Sequence, residues 1–117
     1  MTRAWPTELR LSQDKMTLTV AFDSGETFPL AAEYLRVESP SAEVQGHAAS
    51  QKQIVAGKRH VKIAALEPVG NYAVRIRFDD GHDTGLFSWD YLHELGMSQP
   101  TKWRDYLVAL KAHKMER

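Results

Sequence analysis

Val69-Gly70-Asn71-Tyr72-Ala73-Val74-Arg75-Ile76-Arg77-Phe78-Asp79-Asp80-Gly81-His82-Asp83-Thr84-Gly85 is the stretch whose reading decides the fold. Tyr72, Val74, Ile76 and Phe78 alternate with Ala73, Arg75 and Arg77. A period of two is the signature of a strand with one face in a core and the other in water. Asp79-Asp80-Gly81 then supplies a tight turn, with a glycine available for positive φ. Residues 83–87 return as a short strand. On the upstream side, residues 67–71 form a turn, and the run 59–66 is the antiparallel neighbour, with Val61, Ile63 and Ala65 on one side and Leu66 on the other.

Working outward, the first third of the chain repeats the theme. Leu9 and Leu11 alternate with polar residues in a short strand, and residues 12–15 turn. Met16, Leu18, Val20 and Phe22 place a second apolar face opposite Thr17, Thr19 and Ala21. Asp23-Ser24-Gly25-Glu26 reads as a hairpin turn, and residues 27–30 as its return strand, with Pro29 confined to an edge. Residues 31–36 are helix formers that turn Leu30, Tyr34 and Leu35 inward. Pro40 disfavours a helical Ser39, and Ser41 caps a short turn through Val44. Residues 45–58 are polar and turn-rich, a surface loop pinned by Ile54 and Val55.

Beyond the opening hairpin, Ser88 is an N-cap followed by Asp90 in the first turn. Trp89, Leu92 and Leu95 share one helical face, and Gly96 is the residue that ends the helix. Pro100 opens a last helix carrying Trp103, Tyr106, Leu107 and Leu110 at three- and four-residue spacings, and the charged tail after Lys111 frays. The class is α+β: an antiparallel meander in small sheets, with short helices and a C-terminal helix.

A length of 117 residues sets one domain over residues 1–117, with a core over 9–96 and a helical extension over 97–117. It is long enough to bury a core without disulfides or metal. Fifteen basic residues balance fifteen acidic ones. That balance speaks against a nucleic-acid or membrane-surface binder, which shows a basic excess. With no cysteine, the chain lacks disulfides, thiolate nucleophiles and thiolate metal ligands. No apolar run approaches the ~18 residues of a membrane span, and the N-terminus lacks the apolar core of a signal peptide. The expected location is the cytoplasm, with no membrane and no nucleic acid as partner.

The tempting chemistry is Asp79, Asp80, His82 and Asp83, since carboxylates beside an imidazole suit acid–base work or a hard cation. Turn chemistry explains the same residues without function, because a hairpin wants Asp and Gly there. His47, His60, His93 and His113 are scattered, with no pair at helical metal-ligand spacing. Nucleotide-binding glycine loops and a serine nucleophile elbow are missing. Lys52, Lys58, Arg59, Lys62, Arg75 and Arg77 make a basic strip that reads best as the solvated face of a sheet. Tyr34, Trp89, Tyr91, Trp103 and Tyr106 read as packing residues, although aromatics in the final helix also suit a partner interface.

Residues 33–43, 69–74 and 78–85, with Trp89 and Leu92, resemble the gamma-butyrobetaine hydroxylase-like N-terminal domain family. In the hydroxylases of that family the resemblance implies a structural zinc held by three cysteines and a histidine, ahead of a catalytic 2-oxoglutarate and iron domain. The matching positions are Ser39, Ser41, Val44 and His82, so only the histidine is kept. One imidazole does not hold a structural zinc. The expectation is no metal, no cofactor and no catalytic residue, with His82 close to Ser39 and Ser41. No room remains after Gly96 for the catalytic domain. The domain also looks like the small domain appended to iron–sulfur scaffold ATPases of the Mrp type. The resemblance thus implies a stand-alone bacterial member acting as a non-enzymatic accessory module. It would bind a protein partner, in iron–sulfur assembly or iron-dependent oxidation, through Asp79, Asp80, His82 and Asp83 and the region of residues 39–47. The alternative is a small metal- or ligand-dependent enzyme centred on His82, Asp80 and Asp83.

Overall fold

The computed structural model describes residues 5–40, 54–82 and 85–117. Strands β1 (Pro6–Leu11), β2 (Thr17–Phe22) and β3 (Thr27–Ala31) form one antiparallel sheet in the order β1-β2-β3. Helix α1 (Ala32–Val37) follows β3 directly. Strands β4 (Ile63–Val69), β5 (Ala73–Phe78) and β6 (Gly85–Ser88) form a second sheet in the order β4-β5-β6. Helices α2 (Trp89–Met97) and α3 (Gln99–Ala112) complete the described elements. The class is α+β, as the alternation required.

Both sheets and α2 feed one core. Leu18 and Val20 from β2, Leu30 from β3 and Leu35 from α1 meet Ile63, Val74, Ile76, Phe87, Leu92 and Leu95. A satellite cluster of Val37, Tyr106 and Leu110, backed by Ile54 and Val55, seats α3. Three tyrosines tie distant main chain together. Their hydroxyls donate from Tyr34 to Leu95 O at 2.7 Å, from Tyr91 to Glu38 O at 2.5 Å and from Tyr106 to Val55 O at 2.6 Å.

Several expectations need correction. The strand expected over 59–66 runs instead over Ile63–Val69, because Val69 pairs with Ala73 and leaves only a tight turn at Gly70 (φ +56°). Glu67 and Pro68 are tolerated in it because β4 is an edge strand, where a missing N–H breaks no central ladder. Tyr72, expected on the inward face of the next strand, stands just before β5 and is exposed, while Ala73 is buried. Gly96 does not end its helix: α2 runs to Met97, and Gly96 is buried against the Phe28 ring. Leu107 is exposed on α3, so that helix buries a narrower face than its spacing suggested.

The tail after Lys111 is bound rather than frayed. The Met115 N–H donates to Leu110 O at 2.8 Å and the Lys114 N–H to Lys111 O at 3.1 Å, with Lys114 at φ +56°. That pair of bonds is the helix-ending Schellman arrangement, with lysine where glycine is usual. It sends residues 115–117 back along the molecule, where Glu116 O accepts the Gly57 N–H at 3.0 Å.

Candidate functional site

The tight turn after β5 closes as expected. Phe78 N–H donates to His82 O at 2.9 Å, Gly81 N–H to Phe78 O at 3.2 Å, and Gly81 adopts φ +92°. Each side chain of the turn then finds a partner. Asp79 Oδ1 accepts the Lys62 N–H at 2.9 Å, and the Asp79 N–H donates back to Lys62 O at 2.9 Å. The carboxylate thus extends the sheet edge one step past β4.

Asp80 is the electrostatic centre. Its Oδ2 takes Lys58 Nζ at 2.6 Å and Arg36 Nε at 2.8 Å, while Oδ1 accepts the His82 N–H at 3.0 Å. Burial works against its charge, but the hydrogen bonds from Lys58, the His82 amide and Arg36 outweigh that and bring its pKa down to about 2. The Arg36 side chain is more buried than that of Asp80, and its Nη1 has no hydrogen-bond partner among the described residues.

His82 is buried, and its Nε2 lies 3.0 Å from the Oγ of fully buried Ser39. Gly85 makes room for this contact: a Cβ there would sit 2.7 Å from Ser39 Oγ and 3.0 Å from the Phe87 ring. The α1 end and the second hairpin are therefore joined at Ser39 and His82, forty-three positions apart in sequence. Ser41, Val44 and Asp83 lie outside the described residues.

These residues do not fit the family's structural zinc. A hydroxyl and an imidazole bonded to each other, in a chain with no thiolate, do not make the four-ligand nitrogen and sulfur set zinc requires. Among the described residues no three His, Asp or Glu side chains converge to hold a metal.

The other histidines serve elsewhere. His93 Nε2 lies 2.6 Å from Glu26 Oε1 and sits edge-on to Phe22 and Phe28, and His113 caps the end of α3. His47 and Lys52 lie outside the described residues. The basic strip divides: Lys58 turns to Asp80, whereas Arg75 and Arg77 sit 3.8 and 3.7 Å from Glu67 on the outer face of the second sheet. Sequence reasoning missed Arg36, read only as a helix former. Nothing local marks it, since its partner lies forty-four positions away.

A family described as "Gamma-butyrobetaine hydroxylase-like, N-terminal" matches residues 9–93. The chain belongs to that family. Two proteins solved by NMR in solution are similar along nearly its whole length. One is 42% identical with a TM-score of 0.86, covering 99% of this chain and 91% of its own. The other is 46% identical with a TM-score of 0.84, covering 100% and 90%. A crystallised protein of unknown function from Acidithiobacillus ferrooxidans, of the DUF971 family, is 42% identical with a TM-score of 0.65 and covers 78% of this chain and 91% of its own. No curated protein matches. Among the described residues no helix is long and apolar enough to cross a membrane.

Proposed function

We propose that this member of the gamma-butyrobetaine hydroxylase-like N-terminal family is a non-catalytic accessory module. It binds a partner protein through the corner formed by the 79–82 turn, Ser39 and Lys62. The observation that carries the reading is the mutual engagement of the corner's polar groups. Asp80 is bound by two cations and an amide, Asp79 by the Lys62 amide, and His82 by Ser39. Such a clasp fixes the shape of a surface. It does not leave a base in position to take a substrate proton: a carboxylate near 2 is a weak base at neutral pH. That counts against the alternative of an enzyme centred on His82, Asp80 and Asp83. The family resemblance directs the partner search to iron–sulfur assembly and iron-dependent oxidation.

The test is site-specific photocrosslinking in cells from Lys62, on this corner, and from Arg10, in the other sheet. A discrete adduct from Lys62 alone is expected, weakened by Asp80→Asn. Identical patterns from both positions, or no adduct from Lys62, would sink the reading. Stoichiometric zinc or iron in the purified protein would overturn its metal-free form.

A further inference from the structure

A cavity of about 470 Å³ opens between α1 and α3, lined in part by Glu33, Tyr34, Pro100, Trp103 and Arg117. Its walls are fixed before any ligand arrives. Trp103 meets Tyr34 edge to face at 6.2 Å and lies 5.2 Å from Tyr106. Both tyrosine hydroxyls are held by main-chain carbonyls, so the indole is clamped on two sides. Beside it lies the Glu33 carboxylate, with 6% of its side chain exposed. A carboxylate so far out of water is stable only against a well-placed cation.

The cation in this structure is the chain's own Arg117. Its Nη2 donates to Glu33 Oε1 at 2.9 Å and its Nε to Oε2 at 3.2 Å, and Cζ lies 5.3 Å from the centre of the Trp103 ring. A two-pronged carboxylate contact combined with an aromatic face selects a planar guanidinium over an ammonium point charge. Host and guest differ in burial: 40% of the Arg117 side chain is exposed against 6% for Glu33. The guest is thus the more accessible partner of the pair.

We propose that the Glu33–Trp103 wall of this cavity is an arginine-recognition site, engaged in cis by Arg117, and that an arginine side chain of a partner protein displaces it. Residues 114–117 then act as a tethered competitor, delivered by the positive-φ turn at Lys114. The site shares no residue with the Ser39–His82 corner and goes beyond the reading given for it.

The test is a heteronuclear NMR titration of the full chain, wild type and Arg117→Ala, with N-acetylarginine methylamide. The Trp103 indole N–H and the Glu33 amide report binding. Saturable shifts are expected in Arg117→Ala. They should be about tenfold weaker in the wild type, where a short tether supplies a competing guanidinium at millimolar effective concentration. The uncharged citrulline analogue should give no saturable shift, and Glu33→Gln added to Arg117→Ala should remove the arginine response. The proposal is overturned if arginine and citrulline amides behave alike, if Arg117→Ala does not respond, or if both proteins bind with one affinity. Because the citrulline comparison needs no second substitution, it decides even where Glu33→Gln unfolds the chain. Failure of the Lys62 crosslink leaves this result standing, and the converse also holds.

Discussion

Replacing Asp80 by Asn removes one charge and little else. Asparagine keeps an oxygen for the His82 amide, so the turn retains its local bond, while Lys58 and Arg36 lose their counter-ion. The folded carboxyl sits at about 2 against an ordinary value of 3.8. At about 1.4 kcal/mol per pKa unit that difference sets a ceiling of ~2.5 kcal/mol. Partial exposure and salt screening reduce it to about 1–2 kcal/mol. The sign follows from the depressed value. The folded state holds the carboxylate more readily than the unfolded chain, so the contribution is complete above roughly pH 4 and is lost as pH falls through about 2. Urea unfolding followed by tryptophan fluorescence from pH 7 to pH 2 measures it. Asp80→Asn should be about 1–2 kcal/mol less stable at pH 7, with the two curves converging below pH 4. If the variant matches wild type at pH 7, or the gap persists unchanged at the acid end, the reasoning is refuted.

Three further substitutions probe the packing. Gly96→Ala would gain about 0.5–1 kcal/mol in an open helix. Here its Cβ collides with the Phe28 ring, so a net loss of about 1–2 kcal/mol is expected, read as a fall of several degrees in calorimetric Tm and relieved by Phe28→Leu. Lys114→Gly removes a side chain from a positive-φ position and should stabilise by roughly 0.5–1 kcal/mol in thermal unfolding; a loss would contradict the Schellman ending of α3. Tyr34→Phe deletes the hydroxyl bound to Leu95 O and leaves that carbonyl buried, costing about 1–2 kcal/mol in urea unfolding.

What the sequence made legible was periodic and local. The apolar alternation in β2 and β5, the Asp-Asp-Gly turn and the Ser88 cap, whose Oγ accepts the Tyr91 N–H at 3.1 Å, all follow from neighbouring residues. The failures share a cause. Gly96 looked like a helix end because its dihedral freedom is visible in a sequence, whereas the Phe28 ring pressing on it is not. The strand around Ile63 was displaced because turn residues compete: Glu67-Pro68 and Gly70-Asn71 both look like a corner, and the pairing of Val69 with Ala73 chooses the second. The tail looked frayed because its charge spoke for solvent, yet Glu33 lies eighty-four positions away. The Ser39–His82 contact was reachable only through family resemblance, since no spacing rule links them.

The tyrosine hydroxyls carry a consequence of a spectroscopic kind. Burial, with help from nearby carboxylates, pushes the Tyr34, Tyr91 and Tyr106 phenols upward, Tyr106 to about 12. In the unfolded chain a phenol ionises near 10. The fold is therefore favoured by all three below that point and loses their support as pH rises from about 10 through the folded values. Phenolate formation also changes near-ultraviolet absorbance, so these three rings should colour together as the domain opens in alkali, an intrinsic dye that reports whether its two halves are still joined.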